Sequence, residues 1–159
     1  RKEYAGKGLF KRNSYEHDEQ WNTTEDPKTI IKSVDKRKQK SKDLDKESKK
    51  FERIKVYGTG DNLLIGFGST KGAIVDALPE LRGYKFLQVI YLEPFPEEIL
   101  DHIRKAKKFF VAENNSTGQL ADLITKKLAI KIDDNKRILK YDCRPFTPKY
   151  LIDEIKRRE

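Results

Sequence analysis

Apolar residues are scarce over the first fifty positions and come in regular bursts after them, with the change near Phe51. Leu63–Phe67 (LLIGF), Lys85–Tyr91 (KFLQVIY), Lys108–Glu113 (KFFVAE) and the weaker Arg137–Tyr141 (RILKY) read as buried strands. Helical patterns separate them: Thr70–Leu81, Pro96–Ala106, Thr117–Leu128 and Pro148–Arg157. Helix starts are marked at Ser69 or Thr70, at Pro96, at Ser116 or Thr117, and at Thr147-Pro148. Short apolar strands alternating with helices of about ten residues predict a parallel or mostly parallel sheet covered on both faces. Ile54–Tyr57 adds an edge strand, joined to Leu63 through Gly58-Thr59-Gly60-Asp61. That short connection requires antiparallel pairing if the two strands are neighbours. The chain therefore divides into an N-terminal arm and charged linker, 1–53, and an α/β domain, 54–159.

The arm follows other rules. Residues 1–26 hold Gly6, Gly8, Asn13, Ser14, Asn22 and Thr23, and carry Tyr4, Phe10, Tyr15 and Trp21 without helical spacing. Aromatics on an irregular arm need a surface to lie on, here or on a partner. Asp26 and Pro27 offer an N-cap and a first helical position. Beyond Ile30, Ile31 and Val34, the stretch Asp35–Lys50 has only Leu44 as an apolar residue. It is an exposed helix, a disordered linker, or something between.

Charge changes this picture little. Of the net +9, residues 1–55 hold 17 bases against 11 acids, and residues 56–159 hold 18 against 15. The excess sits mostly on the arm. A basic arm can neutralise phosphates, but interleaved acids and few aromatics favour a solvated helix of mixed charge. No apolar stretch approaches the length of a membrane span, and the first residues have no apolar run that reads as a secretory signal. The 159 residues begin at Arg1 and contain no methionine, which reads as a piece of a larger soluble protein. Cys143 is the sole cysteine. It can build neither a disulfide within the chain nor a four-thiolate site. It reads as a buried inert thiol, and the compartment as reducing and cytoplasmic.

Three segments could carry chemistry. Gly66–Gly72 (GFGSTKG) follows a strand and opens a helix, so Gly68, Ser69 and Thr70 could cradle an anion. The glycines match neither the dinucleotide fingerprint nor the NTPase phosphate loop; a helix cap with tight strand–helix packing is the plainer reading. Glu113–Leu120 ends the third main strand. Its Asn114, Asn115, Ser116, Thr117, Gly118 and Gln119 are denser in polar groups than a cap by Ser116 or Thr117 would need. At the carboxyl end of a strand in an open sheet, such a tip is placed to face a partner. On that view Asn115→Ala leaves the domain's own stability unchanged. Glu16-His17-Asp18-Glu19 is weak as a metal motif, since His102 is the only other histidine. His17, Asp18 and Glu19 fit ordinary polar contacts made by the linker to a neighbouring domain. Arg144-Pro145-Phe146-Thr147-Pro148 is a stiff turn before the last helix.

Taken together, the segments resemble one family. GSTKGAI at Gly68–Ile74, YLEPFP at Tyr91–Pro96, VAENNSTGQLA at Val111–Ala121 and ILKYDCRPFTP at Ile138–Pro148 stand in the order and spacing of the alpha subunit of 2-oxoacid:ferredoxin oxidoreductases. EHDE at Glu16–Glu19, Thr24–Pro27 and Lys36-Arg37 resemble the linker ahead of the C-terminal domain of that subunit. Tyr15 and Trp21 depart from the linker pattern. The resemblance implies a fold of the transketolase C-terminal type: a three-layer α/β/α sandwich around a five-stranded, mostly parallel sheet with one antiparallel edge strand. It implies a parent enzyme that oxidatively decarboxylates a 2-oxoacid with thiamine diphosphate and Mg²⁺. CoA would take the acyl group, and iron–sulfur clusters would pass electrons to ferredoxin.

This chain has none of the family's substrate, cofactor or cluster motifs. The reading is a docking and scaffolding domain without catalytic, cofactor-binding or metal residues, partnered by the beta subunit and other domains of the same enzyme, with no membrane contact. Two other classes stay open: a basic nucleic-acid-binding module, and a free-standing anion- or nucleotide-binding α/β domain.

Overall fold

The computed structural model describes residues 14–159. The expected features at Tyr4, Gly6, Gly8, Phe10 and Asn13 lie outside them. The chain forms two compact units, divided between Glu47 and Ser48.

The first unit is dominated by one long helix, α1 (Pro27–Ser48). Asp26 caps it as its position suggests. Its carboxylate accepts from the Thr29 amide at 2.8 Å and from the Thr29 hydroxyl at 2.7 Å, and these bonds hold its pKa below the ordinary value. The stretch Asp35–Lys50, left open by its composition, is helical through Ser48. Good helix formers and mixed charge suffice there without a continuous apolar stripe. Among the described residues no helix is long and apolar enough to cross a membrane.

The second unit is a five-stranded sheet between two helical layers. Its strands are β1 (Ile54–Tyr57), β2 (Asn62–Phe67), β3 (Tyr84–Val89), β4 (Phe109–Glu113) and β5 (Arg137–Leu139). Their order is β1-β3-β2-β4-β5. All pairs are parallel except β1 with β3. The helices are α2 (Lys71–Ala77), entered through a 3-10 turn at Gly68–Thr70, then α3 (Ile99–Lys105), α4 (Gln119–Leu128) and α5 (Pro148–Arg158). Alternation along the strands sorts the core. Leu63, Ile65, Leu87 and Val111 join Ile99 of α3 and Ile124 of α4 on one face. Leu64, Phe86, Phe110 and Ile138 join Ile74 of α2 and Leu151 of α5 on the other. The expected α/β/α architecture is what forms.

The edge strand is antiparallel, but its neighbour is β3 and not β2. Strands β1 and β2 flank β3, so they stand two strand spacings apart, roughly 10 Å. The four residues Gly58–Asp61 can step across that distance when extended. They do so beneath the turn that starts β3, where the Asn62 amide donates to Gly83 O at 2.9 Å. Gly60 permits the crossing, since a Cβ there would lie 2.2 Å from Gly83 O. A loop length that suits a hairpin also suits this step, so spacing alone does not distinguish them.

Three helix starts fall later than their sequence signals. Helix α2 begins at Lys71, after the 3-10 turn, α3 at Ile99, three residues beyond Pro96, and α4 at Gln119, two residues beyond Thr117. Helix α5 starts as expected, with Pro148 at its head and the Thr147 hydroxyl accepting from the Tyr150 amide at 3.2 Å. Cys143 is exposed rather than buried. It lies in the turn after β5 with a φ of 61°, and the default expectation of a buried thiol does not hold there.

The amino ends of β3 and β4 are tied to the end of α5. The Tyr84 hydroxyl donates to Glu159 Oε1 at 2.9 Å, and Lys108 Nζ donates to the same oxygen at 3.0 Å. Burial, helped by the Glu159 carboxylate, pushes the Tyr84 phenol above its ordinary value near 10. Above that value the unfolded chain has lost the proton and the folded chain keeps it, so stability falls as pH rises. The domain should thus keep the full Tyr84 contribution below about pH 10 and lose it progressively above. Tyr84→Phe should cost about 1 kcal/mol at neutral pH and flatten the alkaline loss. Urea unfolding at pH 7 to 11 measures both, and parallel alkaline slopes for the two proteins would contradict the assignment.

Candidate functional site

The direction of the strand connections fixes where a crevice opens. From β2 the chain runs through α2 to β3 on one side, and from β4 it runs through α4 to β5 on the other. Neighbouring strands whose connections diverge leave a gap at their carboxyl ends. Here the gap is a cleft of about 510 Å³, walled by Phe67–Thr70 from β2 and Ala112–Asn115 from β4, with Leu92, Gln119, Leu120 and Leu123 along its side. The two loops singled out in the sequence, Gly68-Ser69-Thr70 and Asn114–Gln119, meet in it.

The β2 loop is built for close packing. A Cβ at Gly66 would lie 2.7 Å from Thr70 Oγ1 and 2.8 Å from Ile74 Cδ1. Glycine there lets the chain fold back over its own strand. Thr70 is buried, and its hydroxyl donates to Phe67 O at 3.0 Å. Gly68 turns the chain at φ 61°. Gly68 and Ser69 remain exposed, as does Phe67 with 41 % of its surface accessible.

The β4 loop is organised by a carboxylate that sequence reading passed over. Glu113, the last residue of β4, is 5 % exposed. Its Oε2 accepts from the Leu120 amide at 2.6 Å and from Asn115 Nδ2 at 2.8 Å, and its Oε1 accepts from the Ala121 amide at 2.9 Å. Asn115 Oδ1 accepts from the amides of Thr117, Gly118 and Gln119 at 3.1, 2.6 and 3.3 Å. The amino end of α4 is thus satisfied by Glu113 and Asn115, not by Ser116 or Thr117 as expected. A carboxylate at a helix amino end also sits favourably in the helix dipole. The available signal was an acid placed at the end of an otherwise all-apolar strand, where burial demands partners.

Gly118 completes the turn at φ 72°. A Cβ there would come within 2.8 Å of Arg137 Nη1. Arg137 itself donates to Asp122 Oδ1 at 2.7 Å and to Ile132 O at 3.2 and 3.1 Å. The loop is therefore clamped from β5 as well.

These bonds separate the candidate residues. Asn115 is turned inward and spends its carboxamide within the loop. Asn114, Ser116, Thr117 and Gln119 are exposed along the rim. Beyond the tip lies a second depression of about 480 Å³ that shares Ser69, Asn114 and Asn115 with the first and reaches Lys140, Tyr141, Cys143 and Arg144.

His17, Asp18 and Glu19 belong to the other unit. His17 makes an isolated antiparallel bridge with Thr23, and its Nε2 is buried with no hydrogen-bond partner. Asp18 Oδ1 accepts from the amides of Gln20 and Asn22, both at 2.9 Å, closing a tight turn. Glu19 accepts from Lys32 at 2.6 Å, and Glu16 pairs with Arg37, fastening the arm to α1. Among the described residues no group of three or more His, Cys, Asp or Glu side chains could hold a metal ion.

The geometry reverses the sequence expectation for Asn115. Asn115→Ala removes the acceptor of three amides and a donor to Glu113. It should destabilise the domain by about 1–2 kcal/mol, because the half-exposed amides recover part of their bonding from water. Glu113→Gln sets an NH₂ group against buried amides and should cost about 2–3 kcal/mol. Urea midpoints of the two variants against the parent chain give both numbers. An unchanged midpoint for Asn115→Ala would show that the loop does not need this brace.

No protein-family model matches the chain. It is 34 % identical over 148 residues to a 2-oxoacid:ferredoxin oxidoreductase subunit alpha of Saccharolobus solfataricus, covering 89 % of this chain and 22 % of the relative. It is 33 % identical over 149 residues to 2-oxoacid:ferredoxin oxidoreductase 2, subunit alpha, of Aeropyrum pernix, covering 89 % of this chain and 23 % of the relative. The chain thus spans under a quarter of the length of these relatives. Its fold aligns with a 2-oxoglutarate:ferredoxin oxidoreductase from Magnetococcus marinus, solved with 2-oxoglutarate, coenzyme A and succinyl-CoA bound. The TM-score is 0.70 at 25 % identity, over 91 % of this chain and 26 % of that one. Most of the chain is covered by these matches, and the chain belongs, as a segment, to the alpha subunits of the 2-oxoacid:ferredoxin oxidoreductases.

Proposed function

We propose that this segment is the C-terminal docking and scaffolding part of its subunit, and that the chemistry takes place elsewhere in the parent enzyme. The parent would oxidise a 2-oxoacid and hand electrons to ferredoxin, as the names of its relatives say of them. One observation carries the reading. At the switch-point cleft the main-chain donors at the amino end of α4, which would hold a phosphate there, are already used. The amides of Gln119, Leu120 and Ala121 bond to Asn115 and Glu113. A buried carboxylate lies where a pyrophosphate would need positive potential. The residues present do not fit thiamine diphosphate, so no reaction step is assigned to them.

What remains is a rim of outward polar groups beside an exposed Phe67. Such a surface suits contact with protein, where hydrogen bonds, water and an apolar centre act together. The partners would be other domains of the same subunit and the beta subunit. Thiamine diphosphate, Mg²⁺, the iron–sulfur clusters and the CoA site would reside in those parts, in a cytoplasmic enzyme. Against a nucleic-acid role for the basic arm, three of the bases on α1, Lys32, Arg37 and Lys38, are paired with the acids Glu19, Glu16 and Asp35.

Two measurements test this. The segment alone, supplied with thiamine diphosphate, Mg²⁺, CoA, a 2-oxoacid and an artificial electron acceptor, should show no turnover above a heat-treated control. In the assembled parent enzyme, the exposed thiol of Cys143 should be covered. N-ethylmaleimide should modify it at least about tenfold more slowly than the same enzyme unfolded in urea, as measured on the Cys143 peptide by mass spectrometry. Modification at the unfolded rate would leave this face open to solvent, and the docking reading would be abandoned.

A further inference from the structure

The two depressions on either side of the Asn114–Ser116 tip share three lining residues, so they form one trough along the carboxyl edge of β2, β4 and β5. Its ends differ in chemistry. One end is apolar, with Phe67 exposed and Leu92 and Leu123 half-buried. The other is cationic. Lys140 is only 8 % exposed, and its ammonium lies 5.4 Å from the centre of the Tyr150 ring and pairs with Asp142. Arg144 has no such partner. Its backbone amide bonds to Asp142 Oδ1 at 3.1 Å, while its guanidinium makes no bond or ion pair to any described residue. Between the ends stand the exposed side chains of Ser69, Asn114 and Ser116.

Formal charges decide what class of group the cationic end would take. Lys140 is answered by Asp142, and the buried Glu113 lies beneath the tip. One guanidinium remains unanswered. That suits a single carboxylate, which the planar fork can hold with two bonds. It does not suit a chain of phosphates, which would meet the Glu113 and Asp142 carboxylates without enough positive charge to offset them. The apolar end calls for an aliphatic side chain. Phe67 ends β2 and Arg144 follows β5, two strand spacings away or roughly 10 Å, which an extended peptide covers in about three or four residues.

We propose that this trough receives an extended peptide segment from another part of the same parent enzyme. The segment carries one Asp or Glu, paired with Arg144, and an aliphatic residue about three or four positions away, set against Phe67, Leu92 and Leu123. The proposal rests on the docking reading above and adds the chemistry of the docked segment.

The test is a photo-cross-link in the purified parent enzyme with p-benzoylphenylalanine in place of Tyr141, a side chain 69 % exposed at the cationic end. Mass spectrometry should identify one captured peptide of the enzyme with an acid and an aliphatic residue at the stated spacing. Arg144→Glu should lower its yield at least about tenfold. Arg144→Gln, which keeps size and lacks charge, should lower it about threefold or more and serves if the reversal disturbs assembly. Changing the captured acid to lysine in the Arg144→Glu enzyme should restore the yield. If a peptide is captured but neither Arg144 variant changes the yield, the acidic segment is overturned while the docking reading stands. If no peptide of the enzyme is captured, both fall. If pyrophosphate at constant ionic strength suppresses the cross-link as strongly as Arg144→Glu, the trough takes phosphate and the proposal is wrong.

Discussion

The carboxylate of Glu113 is the interaction on which the functional end of this domain depends. Strand β4 is buried along its whole length, so an acid at its last position must be given partners inside the protein. It takes them from the first turn of α4 and from Asn115. That requirement sets how sharply the chain turns and where α4 begins. It also leads to the left-handed turn at Gly118, which brings Arg137 close enough to clamp Asp122 and the Ile132 carbonyl. One ionisable side chain thus couples the second-last strand, a helix and the edge strand β5.

The same arrangement explains the chemistry that the crevice lacks. In a doubly wound sheet the gap at the switch point is a general location for ligands, and helix amides there are the usual anion donors. Here an internal acid already occupies that role. Cavity volume alone would make the gap a candidate for a cofactor. The amides of its α4 wall are bonded within the domain, and the polar side chains of its rim are left open. Function then shifts from the base of the crevice to its edges, which is where exposed Phe67, Ser69, Asn114 and Ser116 stand.

Much of the fold was legible in the sequence because strand and helix signals follow local rules. Every strand anticipated from an apolar run is present, and Asp26 and Thr147-Pro148 start their helices as their chemistry suggests. The partner of β1 was not legible. It depends on which strand the crossover from β2 lays alongside, a long-range fact that the Gly58–Asp61 spacing does not encode. The site was legible in position and not in direction. Two polar loops on one sheet edge can be read from strand ends, but whether Asn115 points out or back depends on Glu113 being buried. An amide that braces and an amide that docks have the same sequence. Cys143 shows the converse, where an apolar default failed because the residue lies in a left-handed turn.

The contrast between Lys140 and Arg144 carries the argument about partners one step further. Both are cations at the same end of the trough, yet Lys140 is buried, stacked and paired, while Arg144 is exposed and unpaired. A domain that needed only to fold would gain little from holding a guanidinium beside an already neutralised ammonium, since exposed charge adds almost nothing to stability. The turn that carries Arg144 is stiffened by Pro145 and Pro148 and anchored by buried Phe146, so the side chain projects from a stretch whose backbone freedom is already restricted. Preorganisation of that kind lowers the entropy lost when a second surface meets the first. The rigid turn, the neutralised lysine and the free arginine are three separate features with one common consequence: a single unpaired positive charge held at the border of the trough.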